Sequence, residues 1–182
     1  LVRVDFNVPF SKGIIDDDTR IKKIIPTLKV LIEKKANIIL VSHFGRPEGN
    51  WNEEFSLKAV CPELSKILGE NIYFEPNNIN NLSRDHFNQV FKKNNIILLE
   101  NIRFYKEEEN NNDKFAKHLA SFGDLYVNDA FSCSHRHHAS VSKITEFLPS
   151  YAGLQMQSEI SALKKITSDI KKPISCIIGG SK

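Results

Sequence analysis

Four arginines and a histidine stand where this chain could grip an anion. His43, Arg46, Arg103 and Arg136 each lie beyond a short apolar run, and Arg20 opens a helical pattern. A guanidinium makes two parallel charge-assisted hydrogen bonds to a phosphate or carboxylate, so these residues point to a small, highly charged ligand. Asp5 and Asn7 close the first apolar run and add polar groups at a strand end. Gly45 and Pro47 flank Arg46 in a tight-turn pattern whose backbone N–H groups could also face an anion. The basic residues are single and scattered along the chain, not arranged in a stripe, and no aromatic signature for RNA accompanies them. A metabolite therefore fits better than a nucleic acid.

These residues converge only if the elements beneath them share one direction. Val2, Val4 and Phe6 favour a strand, which Pro9 must end. Ile21, Ile24, Ile25, Leu28, Leu31 and Ile32 fall at helical spacing over residues 21–35, with Asp18 or Thr19 as cap and Pro26 as a possible kink. Residues 38–41 and 96–99 are wholly apolar, as for strands buried on both faces. Further strands are predicted at 72–74, 125–127 and 174–178, and helices at 57–68, 84–91, 115–122 and 153–166. Gly69 suits a helix C-terminus, and the polar residues 106–113 read as a solvated surface loop. Strands alternating with helices predict an α/β fold: three layers, doubly wound, with a mainly parallel sheet. In such sheets ligands bind outside the carboxyl ends of the strands. All the polar clusters named above would lie at that edge.

The composition is that of an ordinary globular domain: 182 residues, 41% hydrophobic and 26% charged, with a net charge of +3. That charge is too small to argue for nucleic acid or a membrane surface. No apolar run reaches the roughly 18 residues that a membrane span needs. Three cysteines without paired spacing, Cys61, Cys133 and Cys176, suggest free thiols in a reducing compartment. No export signal is read at the start. The opening inside a strand, without an initiator Met, reads as a piece of a longer chain. Cys133, His135, His137 and His138 invite a zinc reading, but no second ligand pair has suitable spacing. GGSK at residues 179–182 lacks the pattern of a Walker phosphate loop.

Six stretches together resemble the phosphoglycerate kinase family: RVDFNVP (3–9), DTRI (18–21), SHFGRP (42–47), LLENIRF (98–104), NDAFSCSHRHHAS (128–140) and GGSK (179–182). The resemblance implies two doubly wound domains joined by a helix. Residues 1–152 would be the N-terminal, 3-phosphoglycerate-binding domain and residues 153–170 the interdomain helix. Residues 171–182 would be the first strand of a nucleotide-binding domain cut short. The family motifs imply that Asp5, Phe6, Asn7, Arg20, His43, Phe44, Gly45, Arg46, Arg103 and Arg136 bind the triose. Gly180, Ser181 and Lys182 would begin the nucleotide site, with Arg20 and Lys182 at the point of transfer. No metal ligand is assigned within this chain. The family usually has Gly-Thr-Ala where this chain has Ser132-Cys133-Ser134, and often Ala at Ser181, which leaves the local turn geometry open.

The resemblance also implies a reaction. A phosphoryl group would pass between 1,3-bisphosphoglycerate and ADP on one side and 3-phosphoglycerate and ATP on the other, with nucleotide carried as Mg-ATP or Mg-ADP. Such transfer needs positioning and neutralisation of spread negative charge more than covalent help. The family is cytoplasmic and its complete members act as monomers, without nucleic acid or membrane partners. This chain alone would bind the triose but stay inactive, because most of the nucleotide site is absent. The alternative is a non-catalytic anion-binding α/β module derived from the same family.

Overall fold

The computed structural model describes residues 1–11, 13–168, 170, 172, 173, 175, 177 and 179. Its centre is a sheet of six parallel strands: β1 Val2–Arg3, β4 Ile38–Val41, β5 Ile72–Glu75, β6 Ile96–Leu99, β7 Tyr126–Asn128 and β8 Ser150–Ala152. They lie in the order β5-β6-β4-β1-β7-β8. Strands β2 (Phe10–Ser11) and β3 (Ile14–Ile15) form a separate antiparallel hairpin, turning at Gly13 with φ +82°. The α/β class and the parallel sheet are as the sequence predicts.

Alternation along the strands builds two cores. In β4, Ile38 and Leu40 join Val2, Ile96 and Leu98 on one face, with Ile21, Ile24 and Leu28 of α1 (Thr19–Glu33) and Leu64 of α2 (Cys61–Leu68). Ile39 and Val41 join Ile97 and Leu99 on the other face, with Phe87 of α3 (Arg84–Val90) and Phe115 and Leu119 of α5 (Asp113–Ala120). The sheet thus has helices on both sides, and a strand buried on both faces must be apolar at every position. Burial of α1 at Ile21, Ile24, Thr27 and Leu28 follows its helical stripe. The last helix, α6 (Leu154–Thr167), packs against α1.

Several local expectations differ from the structure. The first strand has ladder pairs only at Val2 and Arg3, although Val4 still donates to Val41 O at 3.0 Å. Pro26 interrupts neither end of α1, which runs as one helix. The 57–68 segment opens as a 3-10 turn, Leu57–Val60, before α2. Gly69 does close α2, in the left-handed region. Residues 106–113 are not one solvated loop. They begin with helix α4 (Lys106–Glu109), in which Glu108 is fully buried, because its carboxylate has donors waiting inside the fold. The predicted strand at 174–178 includes Ile174, Cys176 and Ile178, which lie outside the described residues.

Candidate functional site

From β1 the chain leaves for β4 on one side, and from β7 it leaves for β8 on the other. This divergence opens a crevice beyond the carboxyl ends of the two strands. A cavity of about 190 Å³ lies there, lined by Asp5, Arg20, Asp129, Ser132, Gln155 and other residues.

Asp5 organises the first wall. Its Oδ1 accepts from Asn7 N at 3.0 Å, closing a turn. Its Oδ2 accepts from both Arg20 Nη1 and Ser132 Oγ. Asp5 therefore ties α1 to the segment after β7, and Arg20, half exposed, points from the same knot. Asn7 Oδ1 in turn accepts from Gly45 N at 2.9 Å. That one N–H is therefore taken within the protein. Gly45 sits at φ +61°, and a Cβ there would come within 2.3 Å of the Phe55 ring, so glycine is required.

Glu100 and Asn101 brace the second wall. The Glu100 carboxylate accepts from Leu57 N (2.8 Å), Asn101 N (2.7 Å) and Ser56 Oγ (2.6 Å). Asn101 accepts from Phe44 N (3.2 Å) and Arg103 N (3.1 Å), and donates to Phe44 O (2.6 Å) and Phe55 O (2.9 Å). One buried amide thereby fixes the loops after β4 and β6 in register. Phe6 and Phe44 carry their rings into the core. Their backbone N–H groups go to Ser42 Oγ and Asn101 Oδ1, and Phe44 also lines a second cavity with Asn7 and Gly45.

Arg103 is 3% exposed. Nη1 donates to Gly45 O at 2.9 Å, whereas Nε and Nη2 are buried without partners, and the Glu109 carboxylate stands 3.6 Å from Nε. Burial and then Arg136 press the Arg103 pKa down, which marks a guanidinium short of counter-charge. Arg136 is half-buried nearby, while Arg46 is exposed and forms no ion pair among the described residues.

His43 is 4% exposed, and its Nδ1 lies 3.2 Å from Arg3 Nη2. A guanidinium can only donate, so Nδ1 accepts and the ring proton sits on Nε2. Burial, then Arg3, Arg103, Arg136 and Arg20, hold the His43 pKa far below the usual histidine range. This neutral ring is a fixed Nε2–H donor. His138 is pressed down to about 4, first by burial and then by Arg103 and Arg136.

Asp5, His43 and Cys133 offer ligand atoms within 4.8 Å of one another. A cation would have to displace Arg3 from Nδ1 and enter among four guanidiniums, so the cluster suits an anion instead. His135 and His137 are exposed and belong to no ligand cluster among the described residues.

The family model for phosphoglycerate kinase matches residues 1–182. The chain belongs to the phosphoglycerate kinase family. It is 50% identical over 182 residues to the phosphoglycerate kinase of Wolbachia sp. subsp. Brugia malayi (strain TRS), with all of this chain and 45% of that protein covered. It is also 50% identical to that of Bartonella bacilliformis, at the same coverage. The structure of phosphoglycerate kinase from Coxiella burnetii aligns with TM-score 0.83 and 35% identity, over 94% of this chain and 43% of that one. The Pyrococcus horikoshii phosphoglycerate kinase gives 0.80 and 28%, over 93% and 43%. The chain spans under half the length of the curated phosphoglycerate kinases it matches.

The family motifs led to Arg20, His43, Arg103 and Arg136, but gave no role to Arg3, Glu100, Asn101, Glu108, Ser132 or Ser140. Arg3, Glu100, Asn101, Ser132 and Ser140 all lie inside those motifs and Glu108 alone lies outside them, but their partners are distant in sequence and carry no local signal. Gly180, Ser181 and Lys182, expected at the nucleotide site, lie outside the described residues.

Proposed function

We propose that this chain is the 3-phosphoglycerate-binding part of a phosphoglycerate kinase. The observation that carries the reading is Arg103, whose buried Nε and Nη2 have no protein acceptor. A buried donor left unsatisfied costs about 1–3 kcal/mol, and a phosphate oxygen would satisfy it. His43 Nε2–H, Arg136 and, from the rim, Arg46 would complete the grip on the phosphate that is not transferred. Arg20, held by Asp5, would face the carboxyl group at the other end of the triose. Asp5 and Asn7 would act through that tether and the Gly45 turn.

In the complete enzyme the phosphoryl group would move between this carboxyl group and a magnesium nucleotide. Charge in such a transfer spreads over the oxygens of the moving group, so fixed cations stabilise it without reorganising. Arg20 supplies that charge from this chain, and Lys182 would add to it from the nucleotide side. Clamping the far phosphate orients the carboxyl group, which is how positioning lowers the barrier. Running in either direction, the reaction would exchange 1,3-bisphosphoglycerate and ADP for 3-phosphoglycerate and ATP.

Titration calorimetry with 3-phosphoglycerate tests the reading. Binding is expected in the wild-type chain and should weaken with added salt, since partly exposed charges are screened. Arg103→Ala should lose at least about tenfold in affinity, or about 1.4 kcal/mol. Equal affinity in both proteins would overturn the site.

A further inference from the structure

Glu108 is the second member of an acidic triplet, Glu107-Glu108-Glu109, yet it is fully buried while its neighbours face solvent. Its Oε2 accepts from Ser140 N at 2.8 Å and its Oε1 from Ser140 Oγ at 2.6 Å. Its backbone carbonyl accepts from Ala139 N at 2.9 Å. Thus α4 holds the end of the segment that carries Arg136 and His138. The hydroxyl of Ser140, having given its proton to Glu108, accepts from Arg3 Nε at 2.9 Å. Arg3 is 1% exposed; it donates onward to Val4 O and to His43 Nδ1. The route Glu108–Ser140–Arg3–His43 is continuous, buried, and ends on the imidazole to which the proposed function gives a phosphate contact.

The directions of these bonds leave little freedom. Arg3 is a buried cation and needs a counter-charge near it. Glu108 supplies one through a single hydroxyl. Both Glu108 oxygens must accept, because one meets a backbone N–H and the other a hydroxyl whose lone pairs face Arg3. An amide at this position would set its NH2 group against the Ser140 N–H, or against a hydroxyl that then has no acceptor for its own proton. The carboxylate is therefore matched to its place by hydrogen-bond direction as well as charge.

We propose that Glu108 is a positioning residue for the anion site. Through Ser140 and Arg3 it fixes His43 as the neutral Nε2–H tautomer, and through the 139–140 backbone it fixes the turn bearing Arg136. Glu108 touches no ligand. The proposal rests on the triose-binding reading for its purpose, but not for its test. Arg3, Arg20, Arg103, Arg136, Asp5 and Cys133 all bear on His43, so only the tautomer isolates the Arg3 contact.

The test is long-range 1H–15N spectroscopy of the His43 imidazole in the 182-residue chain, with Glu108→Gln and Ser140→Ala as variants. The wild type should show the Nε2–H form alone. Both variants should mix in the Nδ1–H form and lose at least about tenfold in 3-phosphoglycerate affinity, with an unchanged backbone spectrum away from the site. Ser140→Ala removes only the hydroxyl bridge, so it decides the matter if Glu108→Gln does not fold. A pure Nε2–H signal in a folded variant would overturn the proposal. If the wild type binds no 3-phosphoglycerate, the triose reading fails while the tautomer still decides the role of Glu108.

Discussion

Arg103 donates to the carbonyl of Gly45 at 2.9 Å, while its Nε and Nη2 stay buried without an acceptor. The loops after β6 and β4 are thereby joined at the point where a ligand would add the missing acceptors. Replacing Arg103 with Met should separate the two roles. The variant loses one hydrogen bond and two unsatisfied buried donors, so its stability without ligand should change by less than about 1 kcal/mol. The rise in Tm that 3-phosphoglycerate gives the wild type should disappear. Thermal melts with and without ligand check both outcomes.

His43 should not titrate near neutrality. A positive patch alone would have predicted a ring whose pKa rises when phosphate binds, giving affinity that falls as pH rises. The buried contact with Arg3 removes that expectation, because protonating Nδ1 would set two donors face to face. The groups bearing on the ring are Arg3, Arg20, Arg103, Arg136, Cys133 and Asp5, so cations dominate. The sign for stability follows from a depressed folded pKa. The unfolded chain takes up a proton below about pH 6.5 and the folded chain does not, so stability falls with acid. Between pH 7.5 and 5.5 the wild type should lose about 1 kcal/mol more than His43→Gln in urea melts. His138 should add a second acid-sensitive contribution that is lost as pH falls from about 6.5 toward about 4.

Asn101 should tolerate no exchange of its amide for a carboxylate. Its Nδ2 donates to two carbonyls, Phe44 O and Phe55 O. Asn101→Asp would set an acceptor against both, and should cost about 3 kcal/mol or more at neutral pH. Urea melts should show the loss easing as the pH drops and the new carboxyl takes a proton. A cost that stays the same at low pH would mean that packing, not hydrogen-bond direction, makes Asn101 necessary.

Much of the frame was legible from apolar runs. Ile38–Val41 and Ile96–Leu99 read as strands buried on both faces, and the parallel sheet followed from the helices between them. Arg46, Arg103 and Arg136 were legible because each stands alone after an apolar run, and Arg20 because it opens a helical pattern. Glu108 was not, since a carboxylate among carboxylates looks solvated until its donors, 32 residues away in sequence, are known. Arg3 was hidden for a similar reason, as a charge within a strand has no local signature of burial. Strand β8 escaped notice because all three of its residues are exposed at the sheet edge, so no apolar pattern marks it. The β2–β3 hairpin is too short for periodicity to register.

The start of α6 has a consequence for how movement at the crevice would travel. Gly153 leaves no room for a side chain, since a Cβ would lie 2.3 Å from the Asp129 carboxylate. Asp129 Oδ1 accepts from Met156 N, and Thr27 Oγ1 accepts from Leu154 N, both at 2.9 Å. The helix is therefore pinned at its base to the segment that bears Ser132 and to α1, which bears Arg20. Its 14 residues make a rigid arm about 21 Å long. A tilt of about 5° at the pinned base would carry the far tip through about 2 Å. A displacement too small to matter within the crevice is in this way geared up into one large enough to make or break contacts at the other end of the helix.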